Sequence, residues 1–235
     1  MDRDETVFSS KFGEKRGIIG DISKVKEYAQ KIEGIDAGET HIITILNSSG
    51  HAGQCYMFDD GSVSYISIPS DVESFAGVLQ HEAIGHGLGK LGDEYIDYYQ
   101  LITQNAIDDL TQAHSKGWYQ NVSLTPSNPP WTHFIGNSNF PLVGIYEGGF
   151  YYWKGVWRAE ENSSMIVSKL HYFNAPSREQ IVKRTFQAAG VTYSWEDFIA
   201  KDKYEPPLKS ARIINTDEEK EPLSPPVIMG KKLFD

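Results

Sequence analysis

The chain has 235 residues, 40% hydrophobic and 12% aromatic, which is enough for a folded globular protein with a substantial core. Its 32 acidic against 22 basic residues leave a net charge of -10, which argues against nucleic acid or an anionic membrane as the main partner. With Cys55 as the single cysteine, an intramolecular disulfide and a thiolate zinc cluster are excluded, so any metal must be held by imidazole and carboxylate.

The opening MDRDETVFSS lacks a basic n-region and an apolar h-region, and no run of 18 apolar residues follows, so no targeting or spanning segment is expected. Val25, Tyr28, Ala29 and Ile32 recur at helical spacing, with Ser23 as cap and Gly34 as stop. HIITILN (41–47), GQCYMF (53–58) and, after an Asp60-Gly61 turn, SVSYISI (62–68) read as strands, the third pairing back on the second. A helix followed by several strands predicts an α/β layered domain.

Ser70-Asp71-Val72-Glu73 forms a capping box, so a second helix is expected to start near 71. Along it Phe75, Val78, Leu79, Glu82 and His86 fall at 0, +3, +4, +7 and +11, which points the acid and the imidazole toward the core. A helical pattern covers 96–114, followed by loops and short strands through an aromatic, Pro- and Gly-rich stretch. PSREQIVKRTFQAAG predicts another helix, with a Ser177/Gln180 capping box and a stop at Gly190. Residues 203–235, with YEPP and LSPP, read as an extended tail or appendage. Without repeats or a linker, residues 1–235 are read as one domain with a largely irregular C-terminal half.

Chemistry concentrates in LQHEAIGHGLGKLGDEY, residues 79–95. Two histidines four apart on a regular helix lie roughly 40° apart and can share an ion. His81 and His86 are five apart, which on a regular helix turns them roughly 140° from each other. A π-type turn between them, eased by Gly85, restores the alignment. Glycines at 85, 87, 89 and 92 end the helix soon after, and the returning chain brings Asp93 or Glu94 to the same ion, leaving the fourth position for water. Glu82 then stands beside the site as general base. A rival ligand pair is Glu82 with His86, at the standard spacing of four.

The segment HEAIGHGLGKLGDEY resembles the bacterial IgA-peptidase family of zinc metallopeptidases, whose members carry His-Glu…His, then Gly and Asp-Glu-Tyr. DETVFSSKFGEKRGIIGDISKVKEYAQKI, HIITILNSSGHAGQCY and EGGFYYWKGVWRAEENSSM extend the likeness over about residues 4–187. The resemblance implies a metzincin-like zincin fold, a twisted mixed sheet packed on the active-site helix. It also implies zinc held by His81, His86 and Asp93, Glu82 as base, and Met165 in a tight turn beneath the metal. Asp93 falls seven residues after His86, one more than metzincins in general place the third ligand, which keeps Glu94 as the alternative. Tyr151, Tyr152 and Arg158 are candidate oxyanion stabilisers, and His133 reads as a packed loop residue.

The expected function is a secreted or cell-surface zinc endopeptidase acting on a protein or peptide substrate. That substrate would lie extended along a sheet edge near residues 62–68. The alternatives are a catalytically silent peptidase-like binding or adhesion module, and a zinc amidase acting on a non-protein amide.

Overall fold

The computed structural model describes residues 6–35, 40–69, 71–203 and 223–234. They form a mixed α/β structure that divides into two compact units, 1–88 with 221–235, and 89–220. No helix among the described residues is long and apolar enough to cross a membrane.

The first unit begins with a small antiparallel pair, β1 (Lys11–Phe12) and β2 (Ile18–Ile19), and helix α1 (Ile22–Ala29). The cap of α1 is Asp21 rather than Ser23, its carboxylate accepting from Lys24 N at 3.1 Å. The helix ends at Ala29, well before Gly34, and Ile32 beyond it is exposed. Strands β3 (His41–Leu46), β4 (Gly53–Met57) and β5 (Ser62–Ser67) form within the three segments read as strands. With β10 (Val227–Ile228) they make a four-stranded mixed sheet ordered β10-β4-β5-β3.

Strand β5 pairs antiparallel with β4 and parallel with β3, from His41↔Ser62 to Leu46↔Ser67. It is therefore a central strand, and all six of its residues are buried. The expected substrate edge at 62–68 does not exist, because both rows of backbone groups on β5 are already spent on neighbouring strands. The tail expectation for 203–235 is also corrected in part. Residues 204–222 lie outside the described residues, but β10 adds parallel to β4 through Val227↔Tyr56 and Ile228↔Met57. Leu233 is fully buried in the same core as Ile18, Val25, Phe58, Val63 and Tyr65.

The opposite face of β5 carries Ser62, Ser64 and Ile66, and against it lie α2 (Val72–Leu79) and a π-helix, Gln80–Leu88. Small side chains there let the helix approach closely: Ser64 donates to the carbonyl of Glu82 at 3.3 Å, and a Cβ on Gly87 would stand 2.7 Å from Ser62 Oγ. Helix α2 is capped by Asp71, which accepts from Ser74 N at 2.7 Å. Ser70, the expected cap, lies outside the described residues.

The second unit holds β6 (Ile96–Leu101), α3 (Gln104–Ser115), β7 (Val122–Ser123), β8 (Tyr146–Gly149), β9 (Tyr151–Arg158), α4 (Ala175–Ala188) and α5 (Trp195–Lys201). The helix expected over 96–114 is thus a strand followed by a helix. Ile96, Tyr98 and Leu101 pair with β9, and Thr103 then caps α3. β6-β9-β7 form a sheet, with β8 also on β9, so the C-terminal half is more regular than expected. Its core is aromatic, with Trp131, Phe134, Phe140 and Phe198 packed together and Trp131 Nε1 donating to the Gly144 carbonyl at 2.8 Å. Helix α4 is capped by Asn174, not Ser177, whose own N–H donates to Asn174 Oδ1 at 3.0 Å. Its end before Gly190, at φ 65°, is as expected.

Candidate metal centre

The π-helix answers the five-residue histidine spacing. In i→i+5 hydrogen bonding residues five apart lie about one turn apart, so His81 and His86 share a face. Their Nε2 atoms are 3.1 Å apart and their rings cross at 85°. Imidazole nitrogens bound tetrahedrally to one zinc at about 2.0–2.1 Å sit roughly 3.3 Å from each other, so the pair stands close to ligating distance. Both rings are buried. The expected bulge is therefore present as a nine-residue π-helix rather than a single turn. The ligand atoms that cluster are those of His81, His86 and Asp93, and the rival pairing of Glu82 with His86 is not among them.

Glu82 follows His81 and is fully buried. It lies against Gly53 of β4, where a Cβ would come 2.6 Å from Glu82 Cγ and 2.8 Å from Oε1. Only glycine leaves the carboxylate its place beside the strand.

After the π-helix the chain turns through Lys90, which adopts a left-handed φ of 52°. The next residues are gripped by the side chain of Asn121, which accepts from Gly92 N at 2.9 Å and donates to Gly92 O at 2.8 Å. Asp93 and Glu94 follow, both buried. Their surroundings separate the two candidates for third ligand. Asn121 and Asn174 each donate to Glu94 Oε1 at 2.8 Å, and Asn174 also reaches Oε2 at 3.0 Å. Burial raises the Glu94 carboxyl to about pH 7, against the lowering effect of Asn121, Asn174 and Ser163. Asp93 instead receives the Tyr151 hydroxyl on Oδ2 at 2.9 Å.

Ligand atoms of His81, His86 and Asp93 all lie within 4.8 Å of one another. Two imidazole nitrogens and a carboxylate oxygen, all buried, are a donor set that can hold a divalent ion, and it has the three-ligand composition of catalytic zinc sites.

Met165 is buried in a tight turn in which its N–H donates to Ser163 Oγ at 3.0 Å, and Ile166 and Val167 donate to the Ser163 carbonyl. Its own carbonyl accepts from Glu94 N at 2.8 Å, so this turn abuts the segment carrying Asp93.

The three oxyanion candidates have other partners. Tyr151 binds Asp93, and Tyr152 shares a hydrogen bond with Thr103 Oγ1 at 3.1 Å. Arg158 donates to the carbonyls of Glu147, Gly148 and Glu160. Burial, then the Asp93 charge, pushes the Tyr151 hydroxyl well above its ordinary value, so it stays a donor. His133, expected as a packed loop residue, lies instead in a short 3-10 helix, Thr132–Phe134, and is exposed, although its ring contacts Phe134 and Trp195 and Nε2 is 3.0 Å from both Glu179 oxygens.

Sequence reasoning did not find Gly53, Asn121 or Asn174. They reach Glu82 and Glu94 from distant segments, and an isolated glycine or asparagine carries no spacing signal. Compared with models of known protein families, the chain matches none, and it matches no curated protein.

Proposed function

We propose that the protein is a zinc endopeptidase, related to the IgA-peptidase metallopeptidases and metzincin-like in fold, that hydrolyses peptide bonds of proteins. We read residues 1–235 as one catalytic domain, secreted or at the cell surface. One observation carries the reading: two buried imidazoles with Nε2 atoms 3.1 Å apart across a π-helical turn, grouped with the Asp93 carboxylate and with Glu82 next in the chain to His81.

In this reading His81, His86 and Asp93 hold the ion. Zinc, when bound, supplies Lewis acidity that lowers the pKa of a coordinated water to about 7. Glu82 takes a proton from the attacking water and later delivers it to the departing amine nitrogen. Its burial limits competing water, and Gly53 leaves room for the carboxylate to receive the proton. Met165 supports the segment that carries the third ligand, through its carbonyl and the Glu94 N–H.

The test is Glu82→Gln, assayed for zinc content and for hydrolysis of a panel of unfolded proteins and glycan-linked peptides. The endopeptidase reading expects full zinc content and a loss of about 10²–10⁴-fold in kcat on the protein substrates. Parent activity confined to glycan-linked peptides points to the amidase. A zinc-loaded parent that cleaves neither class supports the silent binding module, against which the buried Glu82 weighs because a structural ion needs no base beside it.

A further inference from the structure

Resting on that metal reading, we propose that Tyr151 is a positioning residue for the third ligand: its phenol holds Oδ2 of Asp93, leaving Oδ1 as the oxygen presented to the ion. The β8–β9 connection is built for this contact at some backbone cost. Gly148 and Gly149, at φ 100° and 149°, lead into Phe150 and Tyr151, which also adopt positive φ values of 44° and 73°. Bulky residues rarely accept that region, and they are sustained there only where surrounding bonds over-determine them.

Those bonds are all made to the Asp93 segment. Phe150 N–H donates to the Asp93 carbonyl at 2.9 Å, and Tyr151 N–H donates to the Tyr95 carbonyl at 3.0 Å. The Tyr151 hydroxyl donates to Asp93 Oδ2 at 2.9 Å. The Tyr151 ring also packs edge-on to Tyr95, with centroids 5.2 Å apart. Backbone and side chain of two consecutive strained residues therefore fix both the carbonyl and the carboxylate of one aspartate. A phenol donating to one carboxylate oxygen favours ligation through the other alone. Partners of this kind are typically worth 10–100-fold in metal affinity.

The experiment compares zinc affinity of the full chain, by competition with a chromophoric chelator, in the parent, Tyr151→Phe and Tyr152→Phe. Near-ultraviolet circular dichroism reports folding, and the absorption spectrum of the cobalt-substituted chain reports ligation. Tyr151→Phe is expected to weaken zinc binding 10–100-fold and alter the cobalt spectrum. Tyr152→Phe, the same deletion one residue along, should match the parent. Zinc affinity of Tyr151→Phe within twofold of the parent, with an unchanged cobalt spectrum, overturns the role of Tyr151 while leaving the metal reading intact. So does an equal loss in Tyr152→Phe. A parent that takes up no zinc overturns the metal reading and this inference together.

Discussion

Gly53→Ala is the smallest change that moves the proposed base without touching a metal ligand. The new methyl would stand 2.6 Å from Glu82 Cγ, 2.8 Å from Oε1 and 2.9 Å from Val78 Cγ1. Carbon atoms in contact settle at roughly 3.5–4.0 Å, so the Glu82 side chain has to withdraw by about 1 Å. Glu82 and Val78 are both fully buried, and an extra methyl group in such a place costs about 1–3 kcal/mol of stability. A misplacement of about 1 Å in a catalytic group costs on the order of 10²-fold in rate. The variant should therefore fold, keep about one zinc per chain, and lose on the order of 100-fold in kcat on a protein substrate. Steady-state kinetics beside elemental analysis and thermal unfolding provide the check. A folded, zinc-loaded Gly53→Ala chain with parental kcat would mean that Glu82 does not act from the place the structure gives it.

Three further outcomes test other parts of the account. Asp71→Ala removes the cap that accepts from Ser74 N, and should cost about 1 kcal/mol in urea unfolding. Asp202→Ala breaks the two-pronged pair with Arg178, Nε to Oδ1 at 2.9 Å and Nη2 to Oδ2 at 2.6 Å, and should cost about 1.5–3 kcal/mol by the same assay. Glu160 is held above its ordinary value of 4.5 by burial, although the Ala175 N–H and Tyr172 hydroxyl favour its charged form. The folded chain keeps this proton to higher pH than the unfolded chain, so the group's contribution is full below about 4.5 and is lost as pH rises through its folded value. Glu160→Gln should flatten that part of the stability-against-pH curve in stepwise urea unfolding. An unchanged slope would contradict the assignment.

The legible parts of the fold are those whose causes are local. Strands β3, β4 and β5 follow from apolar runs divided by turn residues. The bulge expected between His81 and His86, five apart, is met by the π-helix that brings both to one face. What could not be read depends on distant partners. Ile96–Leu101 has a helical pattern of its own but becomes a strand because β9, more than fifty residues later, supplies its pairing. Val227–Ile228 is too short to announce itself, and its place on β4 fixes a strand order that sequence order does not reveal. The caps of α1 and α4 went to Asp21 and Asn174 rather than to Ser23 and Ser177, a choice among similar acceptors that packing decides. The same holds at the site. Asp93 and Glu94 are adjacent acids, and what separates them is that asparagines 27 and 80 residues away claim the Glu94 carboxylate.

The central claim is that His81, His86 and Asp93 hold one metal ion. Its most direct test is zinc content by elemental analysis after equilibration with zinc, in the parent, His81→Ala, His86→Ala, Asp93→Ala and Glu94→Gln. The account expects about one zinc per parent chain, lost in the first three variants and retained in Glu94→Gln. Zinc retained in Asp93→Ala, or no zinc in the parent, would contradict it.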